Sequence, residues 1–320
     1  MMLALPNRQT KDWHVMTRHR VGLALGSGSA RGWAHVGVID ALVEAGIEPA
    51  IVCGTSMGAL VGAAYVAGRL DDLRKWAENA TWRQIVRLTD VRLSGGGLIS
   101  GKQIVSFLCG LGISDPIESY AARYAAVATD LATGREVWLQ SGPIHEAVRA
   151  SIALPGILSP TRAGERWLLD GGLSNPVPVS VCRALGADVI IAVNLNGDLL
   201  GRRFSEPEPP EPTASSRVSG EIVRRLLSRF PASLHRKGSD AAVLPSEGGA
   251  VPGYFDVLVA SINIMQDHIT RARLAGEPPH VMLVPRLRSI GLMEFHRARE
   301  AIAEGRACVE QALPSLQRYL

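Results

Sequence analysis

The sequence predicts an α/β protein, with helices on both faces of a mainly parallel central sheet. Three observations predict it. Short, wholly apolar runs such as Val21–Leu25 and Ala50–Cys53 alternate with segments of helical spacing. Glycine-rich loops join each of these runs to the helix behind it. The repeated strand, helix, strand, helix rhythm requires right-handed crossovers, and therefore parallel pairing.

The elements follow in order. Val21–Leu25 is a buried strand by length and composition, and the loop Gly26–Gly32 follows it. A helix runs from about Gly32 to Glu44, with Val36, Ile39, Leu42 and Val43 on one face, and Gly46 ends it as a C-cap. Ala50–Cys53 is the next strand, and Met57–Ala67 the next helix, stopped near Gly68. Residues 70–90 read as helix, Ser94–Gly101 as a glycine-rich loop and Lys102–Leu111 as helix. Tyr124–Asp130 and Glu136–Gln140 form a strand pair turned at Thr133-Gly134. Ile144–Ser151 is a helix ending before Pro155, and Arg166–Leu169 a short strand. Val177–Leu185 is a helix and Asp188–Asn194 an apolar strand. Beyond a polar stretch, Phe255–Leu274 is a long helix, Val281–Val284 a strand and Leu292–Leu313 the last helix.

Composition bounds the function. The chain has 320 residues, 47% hydrophobic and 20% charged, which is enough to bury a large core. A net charge of +4 is too mild to imply nucleic acid as a partner. Cys53, Cys109, Cys182 and Cys308 have no paired metal-ligand spacing and sit in apolar contexts, so they read as small, buried and reduced. No metal site is expected. Reduced cysteines point to the cytoplasm. The first twenty residues lack the apolar core of a secretory signal. No stretch is apolar for the ~18 residues of a spanning helix, which leaves only peripheral contact at the inner membrane surface open.

Residues 1–20 read as a poorly packed leader and 21–200 as a catalytic domain. Residues 201–250 form a flexible excursion, crowded with Pro, Glu and Ser over 205–216. Within it Val218, Ile222, Leu226 and Phe230 recur at helical spacing among Arg217, Arg224, Arg225 and Arg229. That helix either packs on the core or lies in a lipid interface. Residues 251–320 complete the same domain.

Two loops carry the chemistry. In Gly54-Thr55-Ser56-Met57-Gly58, a serine stands between an apolar strand and a helix. A serine hydroxyl is a weak nucleophile unless exposed, oriented and close to a base. Flanking glycines permit the tight turn that exposes it, and the helix N-terminus favours developing negative charge. The alternative is an ordinary turn rich in small residues. The loop Gly26-Ser27-Gly28-Ser29-Ala30-Arg31-Gly32 is either a phosphate cradle or an oxyanion hole. Arg31 occupies the position of a third dinucleotide-binding glycine, the next strand ends in Cys53-Gly54 rather than an acid, and no Walker lysine is present. As an oxyanion hole, the loop would use the N–H groups of Ser27, Gly28 and Ser29. Arg31 would either brace the loop by pairing with a carboxylate or meet a lipid phosphate; bracing is favoured, because a buried loop arginine needs a partner.

The base is less obvious. His145, His268 and His296 lie in helical patterns, His235 in a polar tract, and His280 before a strand. None has a loop context suited to a triad. Asp170 ends an apolar strand and precedes Gly171 and Gly172, which let the chain turn sharply and hold the carboxylate in a site.

These motifs, taken in order, resemble the bacterial patatin-like phospholipases, a family that includes the neuropathy target esterase group. The glycine loop through Arg31-Gly32 resembles the family's oxyanion loop, Gly54-x-Ser56-x-Gly58 its nucleophile turn, and Asp170-Gly171-Gly172 its Asp-Gly-Gly motif. The similarity runs from about Val21 past Asn194 and takes in Ala150–Gly156, which borders the pocket in such proteins. Residues 255–313 are similar to the short cytosolic bacterial subgroup. The resemblance implies a three-layer patatin-like α/β/α fold, a Ser56–Asp170 dyad without histidine, no cofactor and an acyl-ester lipid substrate of phospholipase A or lysophospholipase type. A short-acyl carboxylesterase or thioesterase with the same dyad, and a non-catalytic nucleotide-binding or regulatory protein, are the alternatives. Ser27 and Ser29 depart from the consecutive glycines common in the family, and a serine does not share all of glycine's backbone conformations.

Overall fold

The computed structural model describes residues 19–81, 84–85, 100–198 and 254–319. In chain order the elements are β1 (Val21–Leu25), α1 (Ala34–Glu44), β2 (Ile51–Thr55), α2 (Met57–Val66), α3 (Leu70–Asn79) and α4 (Lys102–Gly110). There follow β3 (Arg123–Asp130), β4 (Glu136–Leu139), α5 (Ile144–Ser151), β5 (Thr161–Ala163) and β6 (Arg166–Asp170). The chain continues with α6 (Val179–Ala184), β7 (Val189–Val193), α7 (Tyr254–Gly276), β8 (Val281–Leu283) and α8 (Ala298–Leu316).

The eight strands of the described residues belong to one sheet. Strands β8, β7, β1, β2 and β3 lie side by side in parallel. β4 and β6 both run antiparallel to β3, and β5 pairs with β6. The register on β3 positions the site. β2 occupies one edge of β3 as far as Thr55 opposite Val127. β6 takes over the same edge one residue later, with Asp170 opposite Ala128. The two strands therefore approach head to head, and the turn leaving β2 faces the turn leaving β6.

The strands of the parallel core are buried on both faces, as the continuous apolar runs require. Leu23, Leu25, Val52, Ile191 and Val193 pack into the larger helical layer with Val36, Ile39, Leu60 and Leu73. Ala24, Ile51, Cys53, Ile190 and Ala192 face the smaller layer, against Val179, Val181 and Cys182. The fold is thus three-layered, α/β/α. In the larger layer α1 and α8 cross at backbone contact. A Cβ on Gly37 would stand 1.9 Å from Ile302 O, and one on Gly305 2.0 Å from Ala34 O.

Several expectations need correction. The first helix begins as a 3₁₀ turn, Ser29–Trp33, before α1. α3 stops at Asn79, where Ala80 is extended. Residues 177–178 are not helical, because Pro178 occupies the N-cap of α6. The final helix begins at Ala298 after a 3₁₀ turn, Phe295–Arg297, rather than at Leu292. Leu292 O instead accepts the N–H of Ala30, so this stretch serves the glycine loop. β5 went unpredicted because a three-residue strand leaves too little pattern to read. Cys53 and Cys182 are buried, but Cys109 is exposed and Cys308 half-buried. The 1–20 leader up to residue 18, the 94–101 loop up to residue 99, the 201–250 excursion and its 217–230 helix lie outside the described residues. Among the described residues no helix is long and apolar enough to cross a membrane.

The Gly37–Gly305 contact gives a direct test of this packing. Gly305→Val forces α8 away from α1 and should destabilise the protein by about 1–3 kcal/mol. Urea denaturation should show a lower midpoint at an unchanged slope.

Candidate active site

β2 ends at Thr55, and Ser56 turns the chain into α2 at φ 56° and ψ −121°. Ser56 and Ser29, at φ 48°, are the non-glycine residues with positive φ among those described. Such backbone costs on the order of 1–3 kcal/mol and persists only where the surroundings fix it. Gly58 helps fix the turn, because a Cβ there would stand 2.1 Å from Leu25 O. The Ser56 N–H donates to Ser151 Oγ at 2.9 Å, and Ser151 Oγ donates to Val127 O at 2.6 Å.

Ser56 Oγ donates to Asp170 Oδ2 at 2.7 Å. The other carboxylate oxygen, Oδ1, accepts the Gly172 N–H at 2.7 Å, which the sharp turn through Gly171 makes possible. The Asp170 N–H donates to Ala153 O, and Thr129 Oγ1 donates to Asp170 O. Asp170 is 1% exposed and Ser56 9%. Burial pushes the Asp170 carboxyl up from its ordinary value to about 6, against the opposing pull of the Ser56 and Gly172 hydrogen bonds. Among the described residues no histidine bonds to Ser56 or Asp170; His280 Nδ1 accepts the Ile190 N–H.

The glycine loop leaves β1 beside the Ser56 turn, because β1 and β2 are adjacent and parallel. Its amides divide into two sets. The Gly26 N–H donates to Val193 O and that of Ser27 to Pro176 O. Ala30 and Arg31 donate to Leu292 O and Gly28 O. The N–H groups of Gly28 and Ser29 find no acceptor among the described residues, and both residues line a small compartment with Ser56 and Asp170. Ser27 is therefore corrected as an oxyanion donor, since its N–H is already engaged; its hydroxyl donates to Gln266 Oε1 at 2.9 Å. Arg31 braces the loop, though among the described residues it pairs with no carboxylate. Its Nε donates to Ile290 O at 2.8 Å and its Nη1 to Asn196 Oδ1 at 3.5 Å. Burial lowers its guanidinium to about 10, opposed by the field of Glu294.

Sequence reasoning missed three residues here. Ser151 lies in the stretch expected to border the pocket, yet nothing in its neighbours marks it as the acceptor for Ser56. His35 is wholly buried beneath the loop, with Nε2 2.7 Å from Gly26 O. Burial drops its pKa to about 4, so it is neutral and Nε2–H is the donor. Gln266 sits on α7, where its helical pattern gives no sign of the contact.

Two spaces meet at Ser56. The smaller, of mixed polar and apolar lining, lies between the glycine loop, Asp170 and α7, where Ile262, Asn263 and Gln266 close it. The other is an apolar cavity of about 150 Å³, lined by Met57, Leu60, Trp76, Phe107, Ile152 and Leu158 among others. Tilted aromatic pairs form one wall, with the ring centres of Trp76 and Phe107 4.5 Å apart and those of Trp33 and Trp76 6.1 Å apart. Among the described residues no group of three His, Cys, Asp or Glu could hold a metal.

Comparison with known proteins gives the following. Residues 23–183 match the family model described as patatin-like phospholipase. An uncharacterized NTE family protein of Mycobacterium tuberculosis is 38% identical over 338 aligned positions, covering 93% of this chain and 92% of the relative. A lysophospholipase of Emericella nidulans is 34% identical over 203 positions, covering 58% of this chain but 13% of that protein. The crystal structure of VipD from Legionella pneumophila aligns at a TM-score of 0.45 and 13% identity, over 93% of this chain and 67% of that one.

The raised Asp170 pKa has a signed consequence for stability. The fold favours the protonated acid, so the contribution is complete below about 4 and lost as the pH rises through about 6. His35 acts in the opposite sense, its contribution being present above about 6.5 and lost as the pH falls through about 4. Comparing Asp170→Asn with the parent chain cancels the histidine. The variant should be the more stable of the two at pH 8, by on the order of 1–3 kcal/mol, and the gain should vanish near pH 4. Denaturation curves at the two pH values measure it.

Proposed function

The chain belongs to the patatin-like phospholipase family, and from that premise we propose that it hydrolyses lipid carboxylic esters with Ser56 as nucleophile and Asp170 as base. The single observation that carries this reading is the 2.7 Å bond from Ser56 Oγ to Asp170 Oδ2 at the meeting of two strand ends. The carboxylate is poised to take the serine proton as the oxygen attacks the ester carbonyl. The negative charge then developing on the carbonyl oxygen would be met by the N–H groups of Gly28 and Ser29. Collapse of the tetrahedral intermediate breaks the bond to the alcohol, which leaves with the proton held by Asp170. Water then attacks the acyl-enzyme and gives a proton to Asp170, which passes it to Ser56 Oγ as the acyl–oxygen bond breaks, so that a carboxylic acid leaves and the serine hydroxyl and the carboxylate are both restored.

The apolar cavity supports an acyl chain as the buried part of the substrate. Its aromatic and aliphatic lining favours a lipid chain over the short-acyl ester of the alternative reading. Head group and acyl position belong to the same proposal, as phospholipase A or lysophospholipase chemistry. The name of the fungal relative, a lysophospholipase, supports the second form. β8 and α8 complete the sheet and core begun by residues 21–200, which supports one catalytic domain spanning both segments. The unpaired cysteines support a reducing compartment, and lipid would be reached by peripheral contact with a membrane surface.

Fluorophosphonate labelling tests the dyad. Ser56→Ala should abolish labelling, and Asp170→Asn should slow it by at least about 10²-fold while retaining the fold. Equal labelling of all three proteins would reject the assignment. In the parent protein kcat/KM should rise with pH through about 6, as Asp170 ionises. A rate independent of pH between 5 and 8, values chosen to bracket roughly that pKa, would exclude Asp170 as the base.

A further inference from the structure

The polar wall opposite the dyad comes from α7, whose Gln266 lies 210 residues beyond Ser56 and 96 beyond Asp170. Gln266 is 5% exposed, and its carboxamide touches three separate segments. Oε1 accepts from Ser27 Oγ at 2.9 Å in the glycine loop and from Asn196 Nδ2 at 3.4 Å beyond β7. On the opposite side, a Cβ built on Gly172 would lie 2.3 Å from Gln266 Nε2 and 3.0 Å from Asp170 Oδ1. The amide nitrogen and the dyad carboxylate therefore border the same small space.

The orientation of this amide is set by charge. Arg31 can only donate, so it selects the Oδ1 face of Asn196. Asn196 then presents its NH₂ group to Gln266, which must answer with Oε1. Ser27 Oγ reinforces that choice. The NH₂ of Gln266 is thereby turned toward Gly172 and the compartment holding Ser56 and Asp170. A guanidinium outside the compartment thus fixes, through two amides, which end of Gln266 faces the reaction.

We propose that Gln266 is a positioning residue of this site, locking the glycine loop to the Asp170–Gly172 turn with its NH₂ directed toward the dyad. This rests on the dyad reading above. Its role is to hold the Gly28 and Ser29 amides in register with Ser56 Oγ. Misplacement of a reacting group by about 1 Å costs on the order of 10²-fold in rate. Loss of the lock should therefore appear in kcat rather than in substrate affinity.

Three variants test it, assayed on a water-soluble 4-nitrophenyl ester. Gln266→Met keeps the volume and removes both polar ends; kcat should fall at least about tenfold with KM within about twofold. Asn196→Asp keeps an acceptor for Arg31 but offers Gln266 no donor, so the amide reverses. It should lower kcat comparably while the melting temperature holds or rises, which a purely structural role would not produce. Ser27→Ala should lower kcat alone but add nothing in the Gln266→Met background, because both changes cut one connection. Full kcat in folded Gln266→Met or Asn196→Asp would overturn the proposal, as would multiplicative losses in the double variant. If Gln266→Met fails to fold, the Asn196→Asp result decides. Normal rates in these variants alongside lost labelling in Ser56→Ala would overturn this proposal alone; labelling that persists in Ser56→Ala would overturn both readings.

Discussion

The site depends on one feature of strand pairing: two strands share a single edge of β3 and meet end to end. β2 reaches Val127 from one direction and β6 reaches Ala128 from the other. Strand termini are where a backbone turns away and a side chain can project along the sheet rather than across it. Here the residue after one terminus is Ser56, and the last residue of the other is Asp170. Hydrogen-bond register, set by backbone geometry over whole strands, thus fixes a side-chain distance that no local turn could set alone. The same arrangement buries the carboxylate, because the strand ends, α5 and α7 surround it. A buried carboxylate is costly unless its oxygens are hydrogen-bonded. Each Asp170 oxygen has one donor, the Gly172 N–H or the Ser56 hydroxyl, and the balance remains unfavourable enough to raise its pKa.

The strain and the electrostatic cost are concentrated in the same place. Ser29 and Ser56 hold left-handed backbone within the loops that flank the compartment. Arg31 and His35, both buried, hold the glycine loop from behind through Ile290 O and Gly26 O. Neither points its polar atoms at the dyad. They satisfy carbonyls of the loops themselves, which leaves the Gly28 and Ser29 amides facing the compartment. Such loops keep a strained shape only because a rigid three-layer core surrounds them. The bare contact between α1 and α8 belongs to that core, since the 3₁₀ turn carrying Ser29 runs straight into α1.

Much of the architecture could be read from the chain, for physical reasons that also explain the failures. β1, β2 and β7 are buried on both faces, so their apolar runs are unbroken and legible. The Ser56 turn and the Asp170-Gly171-Gly172 corner are legible because their glycines answer local steric demands. Ser27 was misread because its N–H is engaged by Pro176, a partner about 150 residues away that no local pattern announces. The start of the last helix was misread for a similar reason, as Leu292 and Ile290 serve the glycine loop instead of a helical ladder. Gln266 and Ser151 were invisible, because a polar residue on a helix reads as a solvated face until the tertiary structure buries it. What is local in origin could be inferred; what depends on a partner from another part of the chain could not.

The proposed dyad also has a chemical logic that the burial of Asp170 supplies. In a triad, imidazole takes the serine proton, and its pKa near 6.5 suits a base working close to neutral pH. A carboxylate with the ordinary value near 4 is a much poorer acceptor, and a solvated Asp in this position would leave the serine unactivated. Burial moves Asp170 to about 6, close to the range that imidazole occupies without assistance. The geometry therefore substitutes desolvation for a different functional group. The substitution works only while water stays excluded from the carboxylate, which makes the covering helix α7 part of the chemistry rather than packing alone. A site of this kind links its basicity to its closure: whatever admits bulk water to Asp170 also weakens the base.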